Sequence, residues 1–159
     1  MSADGTRWLD AEDEETWLTL VSLLMRLPAA LDAQLQRDAG ISHFEYQVLA
    51  GLSMAPDRTL RMSDLAAFAD CSLSRLSHTV KRLERQGWVH RTPDPADGRY
   101  TLAVLGADGW DKVVATAPGH VAAVRRMLVD PTTRAQRRQL REIARRVVDA
   151  IGDDDAGPR

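Results

Sequence analysis

The stretch SLSRLSHTVKRLERQGWVHRTPDPADGRYTLAVL, Ser72–Leu105, decides how the chain folds. When each residue is advanced by about 100° around a helix axis, Leu73, Leu76, Val80 and Leu83 fall within roughly 80° of one another. One buried face is therefore predicted on a helix that starts near Ser72 and runs to Gln86, where Gly87 ends it. The opposite side gathers Ser74, Arg75, His78, Lys81, Arg82 and Arg85, all hydrogen-bond donors, with Glu84 only at its edge. Solvated helix faces normally mix both signs, so a face without an acid is better matched to phosphates and base edges. Beyond Gly87, the apolar residues of Trp88-Val89 and of Leu102 and Val104 flank Pro93-Asp94-Pro95-Ala96-Asp97-Gly98. Two short strands joined by a turn are predicted, a β-hairpin.

Upstream, Ser63 opens a short predicted helix carrying Leu65, Ala66, Phe68 and Ala69, so that Asp70-Cys71 becomes the link of a helix-turn-helix. Further out, Trp17, Leu20, Leu24, Leu27, Leu31 and Leu35 recur at spacings of three and four and form a stripe on a long helix from about Glu14 to Ala39. Pro28 should kink that helix and Gly40 should stop it. Ser42 with Glu45 makes a capping box for the next helix, through about Met54, and Ala55-Pro56-Asp57 is a turn. Past the hairpin, Trp110, Val113, Val114, Ala117, Val121, Val124 and Leu128 mark a helix bent near Pro118-Gly119. Leu140, Ile143, Val147 and Ile151 mark a last helix from about Thr133. The chain is thus expected to be mainly α with a small β wing. Residues 12–151 would form one domain, in which 42–106 are the winged lobe and 12–40 and 107–151 the flanking helices. Residues 1–11 and the acidic tail 152–159 are expected to be disordered.

Charge separates along the chain although the formal net is only −2 over 159 residues. Residues 1–57 hold three basic side chains, Arg7, Arg26 and Arg37, against ten acidic ones, whereas 58–100 hold eight basic against five acidic. A basic centre between poorer flanks suggests a local anion site. The single cysteine, Cys71, cannot close an internal disulfide, the N-terminus lacks a secretory pattern, and no run approaches about 18 consecutive apolar residues. A cytoplasmic protein with no membrane partner is expected.

Position along the elements gives the polar residues different tasks. Ser74, Arg75 and His78 lie where the N-terminal half of a groove-reading helix meets base edges, with Ser72 and Ser77 beside them as further DNA-contact candidates, and Arg75 can grip guanine through both sides of its fork. Lys81, Arg82 and Arg85 lie further along, where phosphates pass. Arg61 and Ser63 stand at the start of the preceding helix, where exposed amides favour a phosphate oxygen; for Ser63, capping is an equally available role. At the hairpin tip, Arg99 is placed to enter a narrow, negative minor groove. Asp97 either orients that guanidinium or simply forms an Asp-Gly turn.

The block Leu65–Gly109, with Leu65-Ala66, Arg82-Leu83-Glu84, Gly87-Trp88-Val89, Arg91 and Asp97-x-Arg99, resembles the MarR family of winged-helix transcriptional regulators. Two residues depart from it: His78 stands where many members carry arginine, and Gly106 replaces the usual threonine. The resemblance implies a DNA-binding regulator, most often a repressor, with intertwined terminal helices in a homodimer. It further implies a pseudo-palindromic double-stranded operator and release by a small anionic or phenolic effector. It places an effector pocket between the dimer helices and the DNA lobe, where Trp17, His43 and Tyr46 either contribute or only pack.

Other chemistry finds little purchase. His43, His78, His90, His120 and Cys71 include no pair at close ligand spacing, so neither a metal nor a cofactor is expected. No nucleophile elbow, phosphate-binding loop or dinucleotide fingerprint appears, so no enzyme activity is expected. Cys71, beside the groove-reading helix, is read as packing and not as a redox sensor. A scaffold that binds protein through the same fold would need a mixed or apolar face on Ser72–Gln86, which this sequence lacks.

Overall fold

Helix α1, Ala11–Ala39, begins where the Asp10 side chain accepts the Asp13 N–H at 2.9 Å, and ends at Gly40 in the left-handed conformation (φ 67°). A computed structural model describes the backbone of residues 6–155 and the side chains of 6–152. The chain divides into two compact units, Met1–His120 and Val121–Arg159. Of the two segments expected to be disordered, residues 1–5 and 156–159 lie outside the described residues.

The capping box expected for the second helix is present. Ser42 Oγ accepts the Glu45 N–H at 3.1 Å, Glu45 Oε2 accepts the Ser42 N–H at 2.8 Å, and α2 runs His43–Met54. After it, Pro56–Arg58 form a 3-10 turn in which Asp57 and Arg58 both take positive φ. That turn leads into a strand not anticipated from sequence, β1, Thr59–Arg61. Three residues are too few to display a period of two, and only pairing with a distant partner makes them a strand. That partner is β3, Thr101–Leu105, which also pairs with β2, Val89–Pro93. The antiparallel sheet has order β1-β3-β2, with Leu60 opposite Ala103 and His90 opposite Val104.

Between β1 and β2 lie α3, Met62–Phe68, and α4, Leu73–Arg85, linked through Asp70 at φ 47°. The helix-turn-helix is held from inside by Leu65, Leu76, Val80 and Leu83, all essentially inaccessible, which pack with Leu35, Ile41, Val48, Leu49 and Leu52 into one core. Leu73, expected on the buried face, is 53% exposed because it occupies the first turn of α4, beyond the core; Thr79 takes an inward position in its place. Gly87 (φ 75°) closes α4 in a Schellman arrangement, with its N–H on Glu84 O and the Trp88 N–H on Leu83 O.

Helix α5, Ala107–Val124, is continuous through Pro118, and Lys112 Nζ donates to Ala39 O at 2.6 Å, satisfying a carbonyl at the end of α1. In the second unit a π-helical segment, Arg125–Val129, precedes α6, Arg134–Asp155. Thr133 and Gln136 cap α6 reciprocally, at 2.8 and 3.2 Å. The helix extends past Ile151, where the sequence reading ended it.

Helix α1 departs most from its expected burial. Leu31 and Leu35 are buried, but Trp17 and Leu24 on the same stripe are 53% and 59% exposed. Beyond its acidic first turn much of the apolar stripe stays open, and by length and composition α1 is the one described helix that could cross a bilayer.

Candidate nucleic-acid interface

Ser72 fixes where α4 begins: its hydroxyl accepts the Arg75 N–H at 3.2 Å, so its side chain is occupied as a cap. From that start, the inward run Leu76, Thr79, Val80 and Leu83 leaves Ser74, Arg75, His78, Lys81, Arg82 and Arg85 exposed on the other side. The basic face read from the sequence is therefore one continuous surface. Its cations are not equivalent. Lys81 and Arg85 have no ion pair among the described residues. Arg82 Nη2 donates to Glu45 Oε1 at 2.7 Å, and Arg75 Cζ lies 4.2 Å from the centroid of the Phe44 ring. In the Arg82–Glu45 pair the cation is 53% exposed and the carboxylate 15%.

Ser77 is half-buried and accepts from Arg91 Nη1 at 3.4 Å. Arg91 is chiefly bound to Glu84, through its backbone N–H and Nε at 3.1 Å each and Nη2 at 2.7 Å, fastening β2 to α4. The Arg91 hydrogen bonds hold the Glu84 carboxyl below the usual glutamate range, and the same contact raises Arg91. Glu84, which read as an edge acid, is thus a strut.

The wing tip is built around an aspartate that the sequence reading passed over. Asp94 is buried; its Oδ1 accepts the Ala96 N–H at 2.9 Å and its Oδ2 accepts Arg61 Nε at 2.8 Å. The Ala96 amide first, then Arg61, keeps Asp94 below the ordinary aspartate range. Arg61 also lies 4.3 Å from the Tyr100 ring centroid, so this residue, expected to face a phosphate, is engaged in anchoring the wing to β1. A hydrogen bond between residues 33 apart leaves no local trace in a sequence. Ser63 is exposed in the first turn of α3, where Arg61 is the N-cap and no side chain caps.

At the tip, Arg99 grips Asp97 through Nε (3.0 and 3.2 Å) and Nη2 (2.7 Å), while the Arg99 N–H also reaches Asp97 Oδ1. Arg99 is 84% exposed, and its bonds lower the Asp97 carboxyl while raising the guanidinium. The arrangement presents an oriented cation, one of the two roles left open for Asp97. Between α3, α4 and the wing lies an open cavity of about 360 Å³, lined by Arg61, Ser63, Leu73, Ser77, Arg91 and Tyr100 among others.

The three residues expected near an effector separate. His43 and Tyr46 both meet His120, with ring centroids 6.0 and 4.7 Å apart, and the His43 N–H donates to Asp32 Oδ1 at 2.7 Å. Burial raises the Tyr46 hydroxyl pKa. Trp17, on the exposed part of α1, makes no ring contact with them among the described residues. His120 lies 77 positions from His43 in the chain, so no local pattern links them, and only the packing of α5 near α2 brings the rings together.

Comparison with known proteins agrees with the winged-helix fold. The sequence profile described as MarR family matches residues 39–99. The HTH-type transcriptional regulator YdcH of Bacillus subtilis is 29% identical over 80 residues, 49% of this chain; the match spans only about half, 54%, of that relative's length. Among solved structures, Sco3205 of Streptomyces coelicolor, a MarR family transcriptional regulator crystallised in complex with DNA, is 44% identical with a TM-score of 0.89. That match covers 92% of both chains. AbsC, a MarR family transcriptional regulator from the same organism, is 32% identical with a TM-score of 0.89, covering 93% of this chain and 99% of that one.

Proposed function

This chain belongs to the MarR family of transcriptional regulators, and from that premise we propose that it is a sequence-specific repressor that binds a pseudo-palindromic operator as a homodimer. The observation that carries the proposal is the basic face of α4, where Lys81 and Arg85 have no ion pair among the described residues, beside a wing whose tip holds a pre-oriented arginine. DNA in the Sco3205 structure supports the same reading by similarity.

Residues 42–106 form the DNA lobe in this proposal. Ser74, Arg75, Ser77 and His78 face base edges, with Arg75 the guanine reader. Ser63, Ser72, Lys81 and Arg82 meet phosphates, and Arg61 does so from beneath the wing while keeping Asp94 as its protein partner. Arg99, steered by Asp97, enters the minor groove. The exposed apolar residues of α1 and α6, including Leu24, Ile143 and Val147, supply the faces that a second copy covers. A small anionic or phenolic effector binds near His43 and Tyr46, beside His120 and away from Trp17, and releases the operator. The protein acts in the cytoplasm, performs no catalysis and needs no metal or cofactor.

Selection of bound duplexes from a random pool tests the assignment. A palindromic consensus is expected; Arg75→Ala should relax one base position per half-site by about 1–3 kcal/mol, and Arg99→Ala should weaken the preference for narrow, A·T-rich flanks. Failure to enrich any sequence at low salt would refute the proposal.

A further inference from the structure

Two cations on the outer face of α4 lean on the same short piece of chain, the first turn of α2. Arg75 lies over Phe44 and Arg82 donates to Glu45, while Phe44 is half-buried against the core and Glu45 is locked by its capping bonds with Ser42. Neither supporting side chain can drift: moving Glu45 breaks the cap of α2, and moving Phe44 uncovers apolar surface. Adjacent residues of α2 therefore support cations two helical turns apart on α4.

We infer that the first turn of α2 is the positioning element of the DNA-reading face, with Phe44 setting the plane of the Arg75 guanidinium and Glu45 holding Arg82 along the helix. The inference rests on the proposed base contact of Arg75 and extends it. An arginine stacked on an aromatic face keeps its in-plane N–H groups free, and those are the donors that a guanine edge requires as a matched pair. An unsupported Arg75 would retain its charge, hence its attraction to DNA, and would lose the fixed approach that makes the contact selective. Phe44 and Glu45 touch no base in this arrangement; they act through the arginines.

The test measures binding by anisotropy to the selected duplex and to duplexes altered at single base pairs, for wild type, Phe44→Leu, Phe44→Tyr, Arg75→Ala and the Phe44→Leu/Arg75→Ala pair. Leucine keeps apolar volume without a ring, and tyrosine restores the ring. Phe44→Leu should lose about two- to fivefold of discrimination, the scale of one exposed cation–π contact, at the same base pair that Arg75→Ala relaxes. Phe44→Tyr should discriminate like wild type, and the double variant like Arg75→Ala alone. Full discrimination in Phe44→Leu, or an equal loss at every base pair, would overturn the inference while leaving the Arg75 reading intact. An Arg75→Ala protein with unaltered base preference would overturn that reading, and the inference with it. Should Phe44→Leu fail to fold, the Arg75 Nε–H resonance of the free wild-type protein decides: a ring-current-shifted, motionally restricted signal is expected, and a random-coil signal overturns the inference.

Discussion

Asp97 and Arg99 show how much a residue's immediate neighbours reveal, and Asp94 and Arg61 show where that stops. A carboxylate two positions before an arginine at a turn is close enough for its role to be read from spacing, and the fork is present. Arg61 is equally cationic, but its partner lies across the sheet, so its occupation by Asp94 became visible only once β1 had paired with β3. The same holds for Arg75 and Arg82, whose partners come from α2. His120 adds a titration to this scale. Its Nδ1 is buried with no hydrogen-bond partner among the described residues, and burial first, then the neighbouring His43, lowers its pKa from 6.5. A histidine whose folded pKa is depressed contributes stability that is complete above the unfolded value and lost as pH falls from 6.5 through the folded one. The thermal midpoint should therefore drop between pH 7.5 and 5.5, and His120→Phe should lessen that drop. Identical pH profiles would contradict this account.

Elements were legible where periodicity and caps agree. The Ser42–Glu45 box, Gly87 after α4 and the strand-turn-strand of the wing all carry local physics and all formed as read. The strand β1 and the exposure of Leu73 were not legible, because one depends on a remote partner and the other on how far the core reaches. The junction of wing and α5 carries a sharper expectation. A Cβ on Gly109 would lie 2.2 Å from Trp88 O, 3.0 Å from Trp88 C and 2.6 Å from Leu105 Cδ1. Since the obstruction is mainly backbone, Gly109→Ala should cost about 1–3 kcal/mol or more by overpacking, read from chemical denaturation. At Gly51 the obstruction is the half-exposed Phe68 ring, which can turn aside, so Gly51→Ala should cost less. Equal stabilities of the two variants would contradict the packing described. Gly106, where the family resemblance expects threonine, has room for a side chain: its nearest neighbours would be carbonyl oxygens at 3.6 Å.

At the scale of the whole molecule, charge and apolar surface are both distributed for partners. Basic residues gather on α4 and the wing and again along residues 125–146, and acidic ones at the start of α1. The long stripe on α1 was legible, but its exposure was not: periodicity reports that a face is apolar, never what covers it. Leu24 on α1, in the first unit, and Ile143 and Val147 on α6, in the second, are exposed apolar residues of the kind a partner covers. Sedimentation at micromolar concentration should give a dimer, and Leu24→Glu should shift it toward monomer; a wild-type monomer at tens of micromolar would contradict the dimer.

Whether the outer face of α4 meets the DNA backbone is tested most directly by the salt dependence of binding to the selected duplex. For wild type, the logarithm of the association constant should fall steeply with the logarithm of salt, by about 0.9 per phosphate contact, and Lys81→Ala should make that slope shallower by about one. A flat dependence in the wild type, or slopes unchanged in both Lys81→Ala and Arg85→Ala, would contradict the account.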